Sequence, residues 1–191
     1  MKSLILHNLL AVTLFLSLNL NAQQERCATV QWNEYLQSIN PEYLEYTLSS
    51  SNQELTVKEI NKSATIVNIP VVVHVIWRLN EQNITDEQIN SQIAVMNKDF
   101  NKLNWDTIKV PAVWKNIIGN CQINFVLANR DENGNNTAGI TRKNTTTIDI
   151  ATASGTTHCS DALGGTDAWD RDKYLNIWVC EIGGGVYGFS S

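Results

Sequence analysis

The sequence predicts an α/β domain, and three observations carry that expectation. VVVHVIW (71–77) is a β-branched run, apolar on both faces, as a buried central strand requires. A capped amphipathic stretch with helical period follows it, from Thr85 to Leu103. Two more strand-length runs, 123–127 and 174–182, come later in the chain.

Taken in order, residues 1–22 (MKSLILHNLLAVTLFLSLNLNA) have the three-part layout of a secretory signal peptide. Lys2 is the positive start, Leu9–Leu18 the apolar run, and Ala22 the small residue at the cleavage point. That run falls well short of the roughly 20 apolar residues needed to span a bilayer. The expected product is therefore exported and soluble. Residues 23–68 read as a leader. In it, Trp32, Leu36 and Ile39 fall at i, i+4 and i+7, which predicts a short helix ended by Asn40-Pro41. A polar stretch, SSSNQE (49–54), follows.

The main domain spans 69–191. After the 71–77 strand, Asn80–Asn83 forms a turn. Thr85 is the N-cap of the next helix, Gln88 completes a capping box, and Ile84 with Ile89 makes a hydrophobic staple. Ile89, Ile93, Met96, Phe100 and Leu103 form one apolar stripe facing a sheet. A second short helix is expected over 111–118, with Pro111 near its start. Ile123, Phe125 and Leu127 alternate as a strand, DENGNNT (131–137) is a turn-rich loop, and 139–142 resumes as strand. Residues 143–170, rich in Thr, Gly and Asp, read as a long irregular loop. The strand at 174–182 leads through Gly183–Gly185 into a fourth, edge strand at 186–191.

Composition narrows function. Lys+Arg total 14 against Asp+Glu 19, a net charge of -5. That balance argues against nucleic acid as a partner, since binding it needs a basic face to displace counterions. It argues equally against an anionic membrane surface. Charged residues are 17%, and 23 Asn carry much of the surface polarity. Export permits disulfides, and Cys27, Cys121, Cys159 and Cys180 allow three complete pairings.

No motif in the chain carries chemistry by itself. There is no HExxH, no G-x-S-x-G and no phosphate-binding glycine loop. Of the three histidines, His7 lies in the signal peptide, His74 inside the apolar strand and His158 in the long loop. His74 reads first as a hydrogen-bonded core residue. Asp131, Asn133 and Asn135 resemble the opening of a calcium loop, but Arg142 stands where that loop needs Glu, so they read as a turn. Asp161, Asp167, Asp170 and Asp172 are a candidate calcium site, or else a solvated acidic loop with Arg171 and Lys173 as partners. Cys27, in the leader, is a candidate zinc ligand able to hold an enzyme latent. On chemistry alone a disulfide is the better reading for it.

A series of segments resembles the pappalysin–cytophagalysin family of secreted metzincin zinc proteases. The series runs RCATVQWNEYLQSINPEY, IPVVVHVIW, ITDEQINSQIAVMNKDFNKLN, VPAVW, INFVLANRDENGNNTAGITR, GGTDAW and YLNIWVCEIGGGVYGFS. These pieces cover nearly all of 26–190, in family order. The resemblance implies a zincin-like upper subdomain: a twisted mixed sheet, a backing helix and an antiparallel edge strand as the rim of a cleft. It implies that a polypeptide substrate pairs with that rim by β-augmentation, here at Val186, Tyr187, Gly188 and Phe189. It also implies that Cys27 is a latency switch, a ligand to a zinc whose other ligands this chain lacks. Ala28 stands where the family carries glycine.

The family's HExxHxxGxxH signature follows the edge strand, and these residues stop before it. The chain is thus expected to be the N-terminal part of a secreted zinc metalloendopeptidase: signal peptide, pro-segment, and an incomplete catalytic domain that is inactive alone. Zinc would belong to the full-length parent. The competing expectation is a secreted non-enzymatic module, or a truncated pseudoenzyme, that binds peptides at an exposed edge strand. If Cys27 is free for the switch, three cysteines remain and one is orphaned or waits for a partner beyond Ser191; Cys159 with Cys180 is the expected pair.

Overall fold

The computed structural model describes residues 27–40, 42, 66–152 and 154–190. The expected signal peptide (1–22) and the leader residues 43–65 lie outside the described residues. The leader contributes α1 (Thr29–Ile39), where only Trp32 is buried. Asn40 leaves the helix in an extended conformation (φ −140°, ψ 94°), as a residue before proline must.

The centre of the fold is β1 (Val67–Trp77), in a four-stranded sheet with β2 (Ile123–Leu127), β3 (Ile140–Asn144) and β4 (Leu175–Val179). Every pairing is parallel. Val71 has partners in both β2 and β4, and Val73–Val75 have partners in both β3 and β4. A strand residue has one neighbour per edge. β2 and β3 must therefore follow one another along one edge of β1, with β4 on the other. The chain between them loops out and returns through Gly139 (φ 71°), where a Cβ would lie 2.6 Å from Ala128 N.

Each face of β1 is covered by a different device. Val71, Val73 and Val75 pack with Ile89, Ile93 and Phe125, so one face lies under α2 (Asp86–Phe100). The capping box forms as expected: Thr85 Oγ1 accepts from Gln88 N, and Gln88 Oε1 accepts from Thr85 N. Asn97 holds the outer edge of β2, donating to Phe125 O and accepting from Phe125 N at 2.9 and 2.7 Å. On the opposite face, Val72, His74 and Ile76 are fully buried. There the 143–170 loop reaches back over the sheet through Trp169, edge-on to His74.

Two expected elements take other forms. The helix expected over 111–118 is a single 3₁₀ turn, Ala112–Trp114. Val113, Trp114 and Ile117 are all exposed, so the segment has no apolar face to bury, and so short a helix does not stand without one. The antiparallel edge strand expected over 186–191 is not formed among the described residues. Gly188 makes one parallel bridge, to Cys27 of the leader, and no ladder extends from it.

Candidate functional site

The glycine run sets the rim. Gly184 and Gly185 both take left-handed backbone (φ 80° and 73°), which reverses the chain after the Ala151–Ile182 bridge. Gly183 donates to Ala151 O, and a Cβ there would meet the Asp149 side chain at 2.8 Å. The chain then runs out along Val186, Tyr187, Gly188 and Phe189. Tyr187 is exposed, while Gly188 and Phe189 are half-buried.

The leader lies on this rim. Ala28 N donates to Gly188 O at 3.0 Å, Ser190 N donates to Thr29 Oγ1 at 3.2 Å, and Ala28 is itself buried. The structure therefore brings together two features expected from separate parts of the sequence: Cys27 and the peptide-pairing segment. Cys27 is exposed, with its Sγ 3.2 Å from Thr29 Oγ1.

Beside the rim, Trp32 drops from the first turn of α1 into an aromatic box. Its ring lies 4.9 Å from Phe189 and 5.7 Å from His158, centroid to centroid. His158 in turn meets Trp178 and Phe189 edge-on at 5.6 and 5.4 Å. His158 Nδ1 is buried with no hydrogen-bond partner, and burial holds the ring below the ordinary histidine pKa. Gly165 makes room for the His158 turn, since a Cβ there would fall 2.1 Å from Thr157 O. The sequence pattern had no means to find this box. Trp32 reads as one point of a helical stripe, and His158 as a lone loop histidine.

No protein-family model matches the chain, and no curated protein matches it. Solved structures do. A promirolysin mutant from Tannerella forsythia superposes with TM-score 0.71 at 36% identity, covering 87% of this chain and 54% of that one. Mature T. forsythia mirolysin in complex with a cleaved peptide gives TM-score 0.60 at 46% identity, covering 63% and 44%. Mirolysin in complex with compound 9 gives 0.60 and 46%, covering 62% and 44%. The chain has the mirolysin fold. It spans about half the length of these structures, and the likeness supports a metalloprotease family. The promirolysin match covers more of this chain than the other two matches do.

The other candidates separate on inspection. Within the mirolysin-like sheet His74 is a core residue: Nε2 bonds Asn176 Oδ1 at 2.9 Å and Nδ1 bonds Thr141 Oγ1 at 2.8 Å. Cys159 and Cys180, the expected pair, stand as thiols in this structure. Cys159 Sγ is turned to Thr156 O, and burial pushes the Cys180 thiol up to about 11, so neither is a ready nucleophile. In the acidic loop, Asp161 pairs with Lys143 and Asp170 with Lys173, and Asp167 accepts from Asp161 N. The expected partner Arg171 is replaced by Lys143. Asp131 closes its turn by accepting from Asn133 N and Asn135 N. Among the described residues, no three His, Cys, Asp or Glu side chains converge as a metal site. Again among these, no helix is long and apolar enough to cross a membrane.

Proposed function

We propose that this chain is the leader and upper catalytic subdomain of a secreted zinc metalloendopeptidase of the pappalysin–cytophagalysin type. The observation that carries the reading is the likeness to promirolysin over 87% of the chain, with the leader seated on the rim. In the parent enzyme, Val186, Tyr187, Gly188 and Phe189 pair with polypeptide substrate by strand addition. The complex of mature mirolysin with a cleaved peptide supports polypeptide as the ligand class. Leader and substrate then compete for one edge, because Ala28 already bonds Gly188 O.

Cys27 is the latency ligand in this reading, and its place beside Gly188 supports it. When bound, zinc acidifies a water and polarises a carbonyl. The residues present do not make a site for it: Cys27 is one candidate ligand, and the HExxH that would supply others and a general base is not among these 191 residues. What this chain does is bind and orient peptide and hold the leader in place. It does not hydrolyse peptides by itself. A calcium role for Asp161, Asp167, Asp170 and Asp172 belongs to the parent if to anything, since three of the four are already engaged here.

The coding sequence beyond codon 191 tests the reading. An HExxHxxGxxH segment downstream of the rim is expected. A stop codon, or more than about a hundred further residues without HExxH, would leave the secreted peptide-binding module as the surviving account. Zinc added to the purified chain is expected to produce no peptide hydrolysis.

A further inference from the structure

We propose that the box walled by His158 and Phe189, with Trp178 packed edge-on against His158, is a subsite for an aromatic side chain of the bound polypeptide, and that the leader's Trp32 fills it in the latent chain. The proposal rests on the reading of Val186–Phe189 as the peptide-pairing rim, and it names the substrate class that rim selects.

Three observations carry it. First, the box is next to the pairing position. Phe189 directly follows Gly188, which the leader bridges, so a peptide paired there passes the box at the spacing of neighbouring strands, roughly 5 Å. Second, the box already holds an indole. Trp32 is 6% exposed and is the buried residue of α1, while the helix's other apolar residues stay half-buried or exposed. The leader is thus held at two points, the backbone bonds of Ala28 and the ring of Trp32. Third, the walls suit an aromatic ring. His158 meets Trp178 and Phe189 edge-on at 5.6 and 5.4 Å. An aromatic ring buries the most apolar area against these walls, whereas alanine leaves a void and a lysine ammonium is desolvated there. Edge-to-face packing favours the ring further.

The test uses the whole chain carrying Trp32→Ala, which empties the box. Four capped heptapeptides, identical except for Trp, Tyr, Ala or Lys at the centre, are titrated while the amide signals of Gly188 and Ser190 are followed by NMR. The Trp and Tyr peptides are expected to bind at least about tenfold more tightly than the Ala and Lys peptides. That preference is expected to vanish when Phe189→Ala is added. If all four peptides move Gly188 and Ser190 with equal affinity, the subsite is overturned and the rim survives. If none binds while the Ala28 amide exchanges freely, the rim reading falls and the subsite with it. Should Trp32→Ala fail to protect the amides of Val71–Ile76, the unmodified chain serves instead. Excess Trp peptide, but not Ala peptide, is then expected to open exchange at the Ala28 amide, and equal effects of the two overturn the proposal.

Discussion

His74 is buried between two tryptophans, stacked on Trp178 at 5.2 Å and edge-on to Trp169 at 6.3 Å. Its tautomer follows from its neighbours. Asn176 Nδ2 donates to Trp169 O, and Asn176 Oδ1 accepts from Trp169 N, which fixes the amide. His74 Nε2 must therefore donate to Oδ1, and Nδ1 accepts from the Thr141 hydroxyl. Burial lowers its pKa despite the Asn176 bond, which raises it. Replacing His74 with Leu strands the Thr141 hydroxyl and is expected to cost about 1–3 kcal/mol of unfolding free energy in urea titrations; an unchanged midpoint would contradict the network. His74 and His158 together set a pH dependence. Both have folded pKa values below the ordinary 6.5, so the unfolded chain binds protons more readily. Stability is whole above about pH 6.5 and falls as pH drops below it. A lower urea midpoint at about pH 5.5 than at about pH 7.5 is expected, and His158→Phe is expected to shrink the difference. Equal midpoints in the unsubstituted chain would rule this out.

At the scale of elements, the helices and strands that the sequence announces are those whose signals are local. β1 declares itself by a β-branched run interrupted at His74, and α2 by Thr85, Gln88 and its 4-3-4 stripe. The role of Asn97 is not local. It reads as an ordinary polar face residue until Phe125, 28 positions on, is placed beside it. Asn97→Ala is expected to destabilise the chain by about 2 kcal/mol, two backbone groups losing their partners, with amide exchange quickening first at Phe125. Protection at Phe125 unchanged from the parent chain would contradict this. The long loop is the harder case. Its Thr, Gly and Asp content correctly marks it as irregular, yet Trp169 covers the second face of β1. That contact with His74 comes from nearly a hundred residues away in sequence. The edge strand fails for a related reason: a strand needs a ladder, and Gly188 has a single bridge, to the leader.

For the whole molecule, the candidate site joins the two ends of the described chain. Cys27 and the 186–189 rim could each be named from the family resemblance, but their contact could not, because it depends on how residues 27–29 meet Gly188 and Ser190 across some 160 positions. The aromatic box was invisible for the same reason, its members coming from α1, the long loop, β4 and the rim. In the proposed function, the leader occupies the edge that peptide would use. Hydrogen exchange of the whole chain at single-residue resolution tests it most directly. The Ala28 and Ser190 amides are expected to be protected together, and Trp32→Ala is expected to release both while Val71–Ile76 stay protected. Ala28 and Ser190 exchanging at the rate of an open loop in the unmodified chain would contradict it.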